Sequence, residues 1–259
     1  YEMGPDLRLQ RSNEAGALAW MQSRIAIPRD AVAFDAASVI YTDEAGRRFR
    51  LPRGRADASP ASPLGAERTC REVCTERDLL NCAGTFFELP AENAGGIAKL
   101  RPITTHNRHI HDYASWRGLL VMSGIDPDAP AANRHIIRAE DGGAAVWVGA
   151  VDDLWTFGKP VGVGGPWRDF AVAVGEPSDP YLMTGYDRKT LTLSHRAGQA
   201  VRVKVEVDLS GTGLWVTYAT LEVPAGKSTV HVFPDGFQAY WLRVSADTAT
   251  SATAWLAYE

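Results

Sequence analysis

The sequence has 259 residues, of which 45% are hydrophobic and 22% are charged, with a formal net charge of -4 at pH 7. This composition is that of a folded globular chain long enough for two domains, and it excludes a disordered or fibrous protein. The charge gives no basic surface for nucleic acid, and no apolar run approaches the roughly 20 residues of a membrane-spanning helix, so neither partner is expected.

Hydrophobic residues mostly alternate with polar ones or form short runs between turn residues, which predicts an all-β fold of antiparallel sheets. One helix is predicted, from Ser12 to Ser23, where a capping residue precedes good helix formers. Four strands are then predicted in close succession. They cover residues 24–28, 31–35, 38–42 and 47–52, and residues 43–46 form a hairpin turn.

Between Pro52 and Arg68 the composition shifts to small residues and proline, which predicts a surface loop or linker. After two further strands around the turn at residues 92–96, four short strands follow one another, in IHDYASW, RGLLVMSGI, RHIIRAE and AAVWVGAV. That spacing is typical of a β-propeller blade, although a sandwich sheet gives the same count. Residues 152–180, rich in glycine and proline, predict an ordered connector across a sheet instead of a regular element.

The last section has the clearest pattern. Valines at positions 201, 203, 205 and 207 alternate with Arg202, Lys204, Glu206 and Asp208, so one face is predicted to be buried and the other exposed. Five or six such strands are enough for a β-sandwich. We therefore predict partial β-propeller-like sheets in residues 1–180, followed by a C-terminal β-sandwich in residues 181–259.

Cys70, Cys74 and Cys82 are the only cysteines and lie close together. A local disulfide with one thiol left over is one reading, and a zinc site would need a fourth ligand. We favour a third reading, in which they are small buried hydrophobic residues.

Residues 105–117 (THNRHIHDYASWR) contain three of the six histidines, His106, His109 and His111. In an extended strand His109, His111 and Tyr113 would share one face. Such a face could perform acid-base chemistry, because histidine titrates near neutral pH. A divalent metal is also possible, with Asp112 or Glu92 as a carboxylate ligand. The simpler alternative is that these histidines are structural.

Glu88 and Glu92 lie just upstream, and a pair of carboxylates is typical of glycoside hydrolases, although most glutamates are simply solvated. Several tryptophans could stack on sugar rings or pack in the core, namely Trp116, Trp147, Trp155 and Trp167.

At residues 71–96 (REVCTERDLLNCAGTFFELPAENAGG), 106–125 (HNRHIHDYASWRGLLVMSGI) and 177–195 (PSDPYLMTGYDRKTLTLSH), the chain resembles the C-terminal part of large uncharacterised bacterial glycan-degradation proteins. More loosely, it is similar to propeller-type rhamnosidases and rhamnosyl-glucuronate lyases, which use histidine, tyrosine and arginine at a funnel on a seven-bladed propeller. No motif of those families matches residue by residue, so the resemblance assigns no catalytic residue.

The leading hypothesis is a carbohydrate-active enzyme, a glycoside hydrolase or polysaccharide lyase, acting on an acidic polysaccharide. In this hypothesis His109 or His111 acts as general acid or base, with Tyr113 as its proton-transfer partner. Arg117 binds a uronate carboxylate. Further substrate contacts are expected from His106, Glu92, Trp116 and Trp155. The alternative is a non-catalytic glycan-binding module or a structural or assembly module.

The residues before the sandwich suffice for three or four propeller blades, so we expect a missing N-terminal portion or a homo-oligomer. We also expect a secreted or periplasmic protein. An oligosaccharide or polysaccharide is the expected partner in either hypothesis.

Overall fold

The computed structural model describes residues 1–17, 19–20, 23, 31–54, 61–62, 65–66, 68–74, 77–106, 108, 110–128 and 132–259. Among these, residues 61–62, 65–66, 68–69, 71, 74 and 77 are described by their backbone alone.

The chain is all-β, as the hydrophobic periodicity predicts. The strands before residue 110 are β1 (Glu2–Met3), β2 (Leu9–Gln10), β3 (Val32–Phe34), β4 (Val39–Thr42), β5 (Arg48–Leu51), β6 (Ala61–Ser62), β7 (Gly65–Ala66), β8 (Arg68–Cys74), β9 (Arg77–Cys82), β10 (Thr85–Pro90) and β11 (Arg101–Thr105).

The later strands are β12 (Tyr113–Trp116), β13 (Leu119–Ile125), β14 (Ile136–Arg138), β15 (Ala145–Gly149), β16 (Gly162–Val172), β17 (Tyr181–Leu182), β18 (Lys189–His195), β19 (Val201–Asp208), β20 (Trp215–Val223), β21 (Thr229–Val232), β22 (Trp241–Ala246) and β23 (Thr250–Tyr258). Within the described residues, 3-10 helices cover Glu92–Ala94, Gly96–Lys99 and Val151–Phe157.

Helical structure is scarce, and it includes part of the predicted N-terminal helix. Residues 17, 19, 20 and 23 are helical, and the amide of Trp20 donates to the carbonyl of Gly16 at 2.9 Å. Within the described part of the chain, no helix is both long enough and apolar enough to cross a membrane.

Four sheets contain most of the strands. We name them the central sheet (order β11-β10-β9-β8), the outer sheet (β12-β13-β15-β14), the short sheet (β16-β23-β18-β21) and the long sheet (β20-β19-β22-β17-β5-β4-β3). The outer sheet contains the four short strands that the sequence predicts. The pairs β1-β2 and β6-β7 form two further ribbons.

The central sheet is buried on both faces, because successive side chains of a strand point to opposite sides. Phe86 and Phe87 are both fully buried, yet Phe86 belongs to the smaller hydrophobic core and Phe87 to the larger one. Leu79 and Leu80 divide in the same way. The smaller core joins the central sheet to the outer sheet, and the larger core joins it to the short and long sheets.

The sheets cross the predicted domain boundary between residues 180 and 181. β16 pairs with the last strand, from Gly162↔Tyr258 to Val172↔Thr250, and β5 pairs in parallel with β17 at Arg50↔Tyr181. Strands from the first part of the chain therefore complete the sheets of the second part. The propeller-like and sandwich assignments stay predictions.

The expectation of an irregular connector at residues 152–180 is wrong, because an eleven-residue strand, β16, lies within it. Its glycines allow the backbone of β23 to approach closely. A Cβ at Gly165 would lie 1.9 Å from the carbonyl oxygen of Ala254. The glycine-rich composition thus reflects close strand packing in this segment.

The alternation predicted for residues 201–208 holds on the valine face but fails at its acidic end. Glu206 and Asp208 are buried. Glu206 accepts a bond from Arg243 at 3.0 Å, and the Asp208 carboxylate accepts backbone N–H groups of residues 210–213. These bonds offset the cost of removing the carboxylates from water.

Among the cysteines, Cys82 is buried in the larger core and Cys70 packs against it. The side chain of Cys74 lies outside the described residues. The packing of the first two is that of small hydrophobic residues.

Candidate functional site

His106 directly follows β11 of the central sheet and is 7% exposed. The backbone N–H of Arg108 donates to its Nδ1 at 3.0 Å, so the ring proton is on Nε2, which donates to Asn81 Oδ1 at 2.9 Å. Burial, followed by the nearby charge of Arg108, lowers the pKa of His106 to about 3. The ring is therefore neutral, and its two nitrogens are engaged by the protein, which is a structural role.

The side chain of Tyr113 is packed in the core. It is 2% exposed, its ring meets that of Phe86 at 5.4 Å between centroids, and its hydroxyl donates to the carbonyl of Leu79. His111, Asp112 and Tyr113 together border a hollow of about 590 Å³ that Tyr1 and Leu9 also line. The hydroxyl of Tyr113 is thus engaged by the protein, although the residue borders this hollow.

Arg117 and Trp116 lie at the turn between β12 and β13. Arg117 and Gly118 both have positive φ, at 50° and 80°, and the guanidinium of Arg117 lies 5.0 Å from the centre of the Trp116 ring. Five residues, four of them in strand β12, separate His111 from Arg117, a span of up to about 20 Å. These two side chains belong to opposite ends of one hairpin.

The other predicted site residues are dispersed. Glu92 is exposed at the start of a 3-10 helix, Glu88 lies on β10, and Trp155 is 66% exposed on the helix Val151–Phe157. His109 lies outside the described residues. Among the residues that the structure describes, no group of three or more His, Cys, Asp or Glu side chains could hold a metal ion.

A different pocket lies beside the same segment, between the core-facing side of the outer sheet and the helix Val151–Phe157. Its volume is about 600 Å³. We call it the His135 pocket; it is lined by Arg108, Ile110, Met122, Gly124, Ile125, Asp126, Asn133, His135, Ile136, Trp147, Thr156 and Phe157. It shares residues 124–126 with the hollow beside His111.

Comparison with known proteins gives no relative on which to base a function. No protein-family model matches the sequence, and no curated protein or solved structure is similar to it. The resemblance to glycan-degradation proteins therefore stays a prediction.

His135 is half-buried and is held from two sides. Its backbone N–H donates to Asn133 Oδ1 at 3.0 Å, and its Nδ1 lies 3.0 Å from the carbonyl oxygen of Val148. A carbonyl only accepts, so Nδ1 carries a proton, and the tautomer that this bond selects has its lone pair on Nε2. Nε2 has no hydrogen-bond partner among the described residues.

Trp147 forms the aromatic wall of this pocket. Its ring stacks on His135 at 4.9 Å and meets Phe157 edge to face at 5.6 Å. The side chain is 3% exposed, and its Nε1 has no hydrogen-bond partner among the described residues. Leaving a buried donor unsatisfied costs about 1–3 kcal/mol.

The charged groups of the pocket are Arg108, which precedes β12, and Asp126, which directly follows β13. Both side chains are exposed. Asn133 and Thr156 add neutral polar groups. The pocket thus combines an aromatic wall with donors and acceptors, the arrangement that proteins use to orient small polar ligands.

The sequence pattern did not identify His135, and it assigned the site to residues 105–117 instead. His135 stands alone before a short strand, and its chemistry depends on Val148 and Trp147, which reach it only through strand pairing. The available signals were the first arginine of the histidine-rich segment, Arg108, and the tryptophan of AAVWVGAV, Trp147.

Proposed function

We propose that this chain is a glycan-binding module and that it holds an acidic oligosaccharide in the His135 pocket. The observation that carries the proposal is the stacked pair of His135 and Trp147 in the wall of the pocket, where His135 Nε2 has no hydrogen-bond partner among the described residues. A ligand hydroxyl that donates to this nitrogen gains a hydrogen bond that the protein alone does not make.

A sugar suits the remaining groups. A sugar hydroxyl can donate to the lone pair of His135 Nε2. The aromatic walls, Trp147 and Phe157, suit the apolar face of a pyranose. A volume of about 600 Å³ is within the range of small-ligand sites.

The acidic character is assigned to Arg108. A guanidinium forms paired hydrogen bonds with a carboxylate, and Arg108 is the one arginine among the described residues that line this pocket. It replaces Arg117 in this role, because Arg117 lies at the far turn of the β12-β13 hairpin.

The proposal predicts that His135→Ala and Arg108→Ala each weaken the binding of a uronic-acid trisaccharide by about tenfold or more, since each removes a group that contacts the sugar. Isothermal titration calorimetry with oligogalacturonate measures this directly. Loss of the carboxylate contact also predicts that Arg108→Ala reduces the preference for the uronic over the neutral trisaccharide.

Arg117→Ala is the matched control, because it removes another exposed arginine of residues 105–117 that does not line the pocket. We expect its affinity to equal that of the wild type. Equal weakening by Arg108→Ala and Arg117→Ala would refute the assignment of the carboxylate to this pocket.

A second candidate function is acid-base catalysis on the same sugar, favoured by the anchored Nδ1 of His135. A carbonyl that fixes the tautomer leaves Nε2 ready to accept a proton from a substrate. In that case incubation with oligogalacturonate yields shorter or unsaturated products, detected by mass spectrometry, and His135→Gln abolishes them. Intact oligosaccharide after prolonged incubation with the wild-type chain would leave binding as the function.

A further inference from the structure

A second cavity, of about 380 Å³, lies where strand β16 passes the long sheet. Its lining includes five charged residues and one aromatic residue, namely Asp35, Arg48, Arg50, Glu176, Asp179 and Phe170. It shares no described residue with the His135 pocket, so an inference about it is independent of the function proposed above.

The base of this cavity is a buried arginine. Arg50 is 3% exposed, and its guanidinium donates from Nε to Asp179 Oδ2 at 3.0 Å and from Nη1 to Asp35 Oδ2 at 2.8 Å. A third bond from Nη1 reaches Ser38 Oγ at 2.9 Å. Nη2 has no hydrogen-bond partner among the described residues.

The two carboxylates are fixed as firmly as the arginine. Asp35 Oδ1 accepts the N–H groups of Ala37 and Ser38 at 2.8 and 2.9 Å. Burial alone would raise the pKa of Asp35, but the bonds from Arg50 and the Ser38 amide outweigh it and lower that pKa. Asp179 Oδ2 receives both Arg50 and Arg48, and its Oδ1 has no partner among the described residues. Arg50 Nη2, a donor, and Asp179 Oδ1, an acceptor, thus remain available on two neighbouring side chains that their other hydrogen bonds hold in place.

Phe170 supplies an exposed aromatic wall to the cavity. It is 50% exposed, although it belongs to a strand. The register of β16 shifts between Trp167 and Phe170, and Asp169 has φ of 47°, a left-handed conformation that is costly for a residue with a side chain. The bulge turns the phenyl ring toward solvent at the cavity instead of into the core.

We propose that this cavity binds a neutral, hydroxyl-rich ring such as a pyranose. A sugar hydroxyl can accept from Arg50 Nη2 while donating to Asp179 Oδ1, and the apolar face of the ring can lie against Phe170. The pattern matches a hydroxyl because it presents one donor beside one acceptor.

Charged ligands fit the cavity less well. An anion would meet the carboxylates of Asp35, Glu176 and Asp179, and a cation would meet the guanidinium groups of Arg48 and Arg50. The neutral ring is the ligand that avoids both repulsions, and this distinguishes the cavity from the acid-selective His135 pocket.

The test is an NMR titration of the isotopically labelled chain with methyl α-glucopyranoside up to about 100 mM, a range suited to weak binding. We expect chemical-shift changes of the backbone amides between residues 167 and 179. Phe170→Ala is expected to weaken this binding about threefold to tenfold through loss of stacking. Asp179→Asn, which keeps the shape of the side chain, is expected to weaken it as well.

Phe34→Ala is the matched control, because Phe34 is another partly exposed phenylalanine and lies outside the cavity lining. It should bind like the wild type. Unchanged amides at 100 mM glucoside, equal affinity in Phe170→Ala, or tighter binding of glucuronate than of the glucoside would each overturn the proposal.

Discussion

Phe86→Ala is expected to lower the free energy of unfolding by about 3–5 kcal/mol, a large share of the roughly 5–15 kcal/mol that stabilises a typical domain. Phe86 is fully buried in the smaller core, where it contacts the rings of His106 and Tyr113 at 4.7 and 5.4 Å between centroids. Its removal leaves a cavity between the central and outer sheets. Guanidinium denaturation followed by circular dichroism measures the change.

Phe170→Ala serves as the control for this prediction, because it deletes the same side chain at an exposed position. It should change the free energy of unfolding by less than about 1 kcal/mol. If Phe86→Ala were no more destabilising than Phe170→Ala, the two-faced burial of the central sheet would be wrong.

The second large effect is a loss of stability on acidification. The unfolded chain protonates His106 near its ordinary pKa of 6.5, whereas the folded chain resists protonation down to a pKa of about 3. The folded form therefore loses stability as pH falls through 6.5, by up to about 1.4 kcal/mol per pH unit until His106 protonates in the folded state. Between pH 7.5 and 5, above the range of ordinary carboxylates, the expected loss from this residue is about 2 kcal/mol.

His106→Gln isolates this contribution, because it removes the titrating ring and keeps a polar side chain. Denaturation curves at pH 7.5, 6 and 5 should show a flatter pH dependence in this variant than in the wild type. His231→Gln, on the opposite part of the chain in β21, should retain the wild-type slope. Parallel slopes in the wild type and His106→Gln would show that burial does not lower this pKa.

Much of the fold follows from local pattern. Strands β18 and β23 alternate buried residues with less buried ones, and β19 alternates valines with charged residues. Such patterns predict that a strand exists. They do not specify its partner, so the pairing of β5 with β17 and of β16 with β23, each across more than seventy residues, could not be read from the sequence.

The candidate site was predictable only in part, for a related reason. The histidine-rich segment borders the His135 pocket through Arg108. His106 and Tyr113 instead pack against Phe86, and His106 also bonds Asn81, so both side chains face the core. Whether a polar residue faces solvent or core depends on the neighbouring sheet. His135 shows the converse, since an isolated histidine gains a defined tautomer and an aromatic neighbour from an adjacent strand.

The most direct test of the central claim is a crystal structure of the chain soaked with a uronic-acid trisaccharide. We expect sugar density in the His135 pocket, with a hydroxyl oxygen at hydrogen-bond distance, about 2.7–3.2 Å, from His135 Nε2 and a carboxylate on Arg108. Sugar bound elsewhere, with His135 and Arg108 making no contact to it, would contradict the proposal.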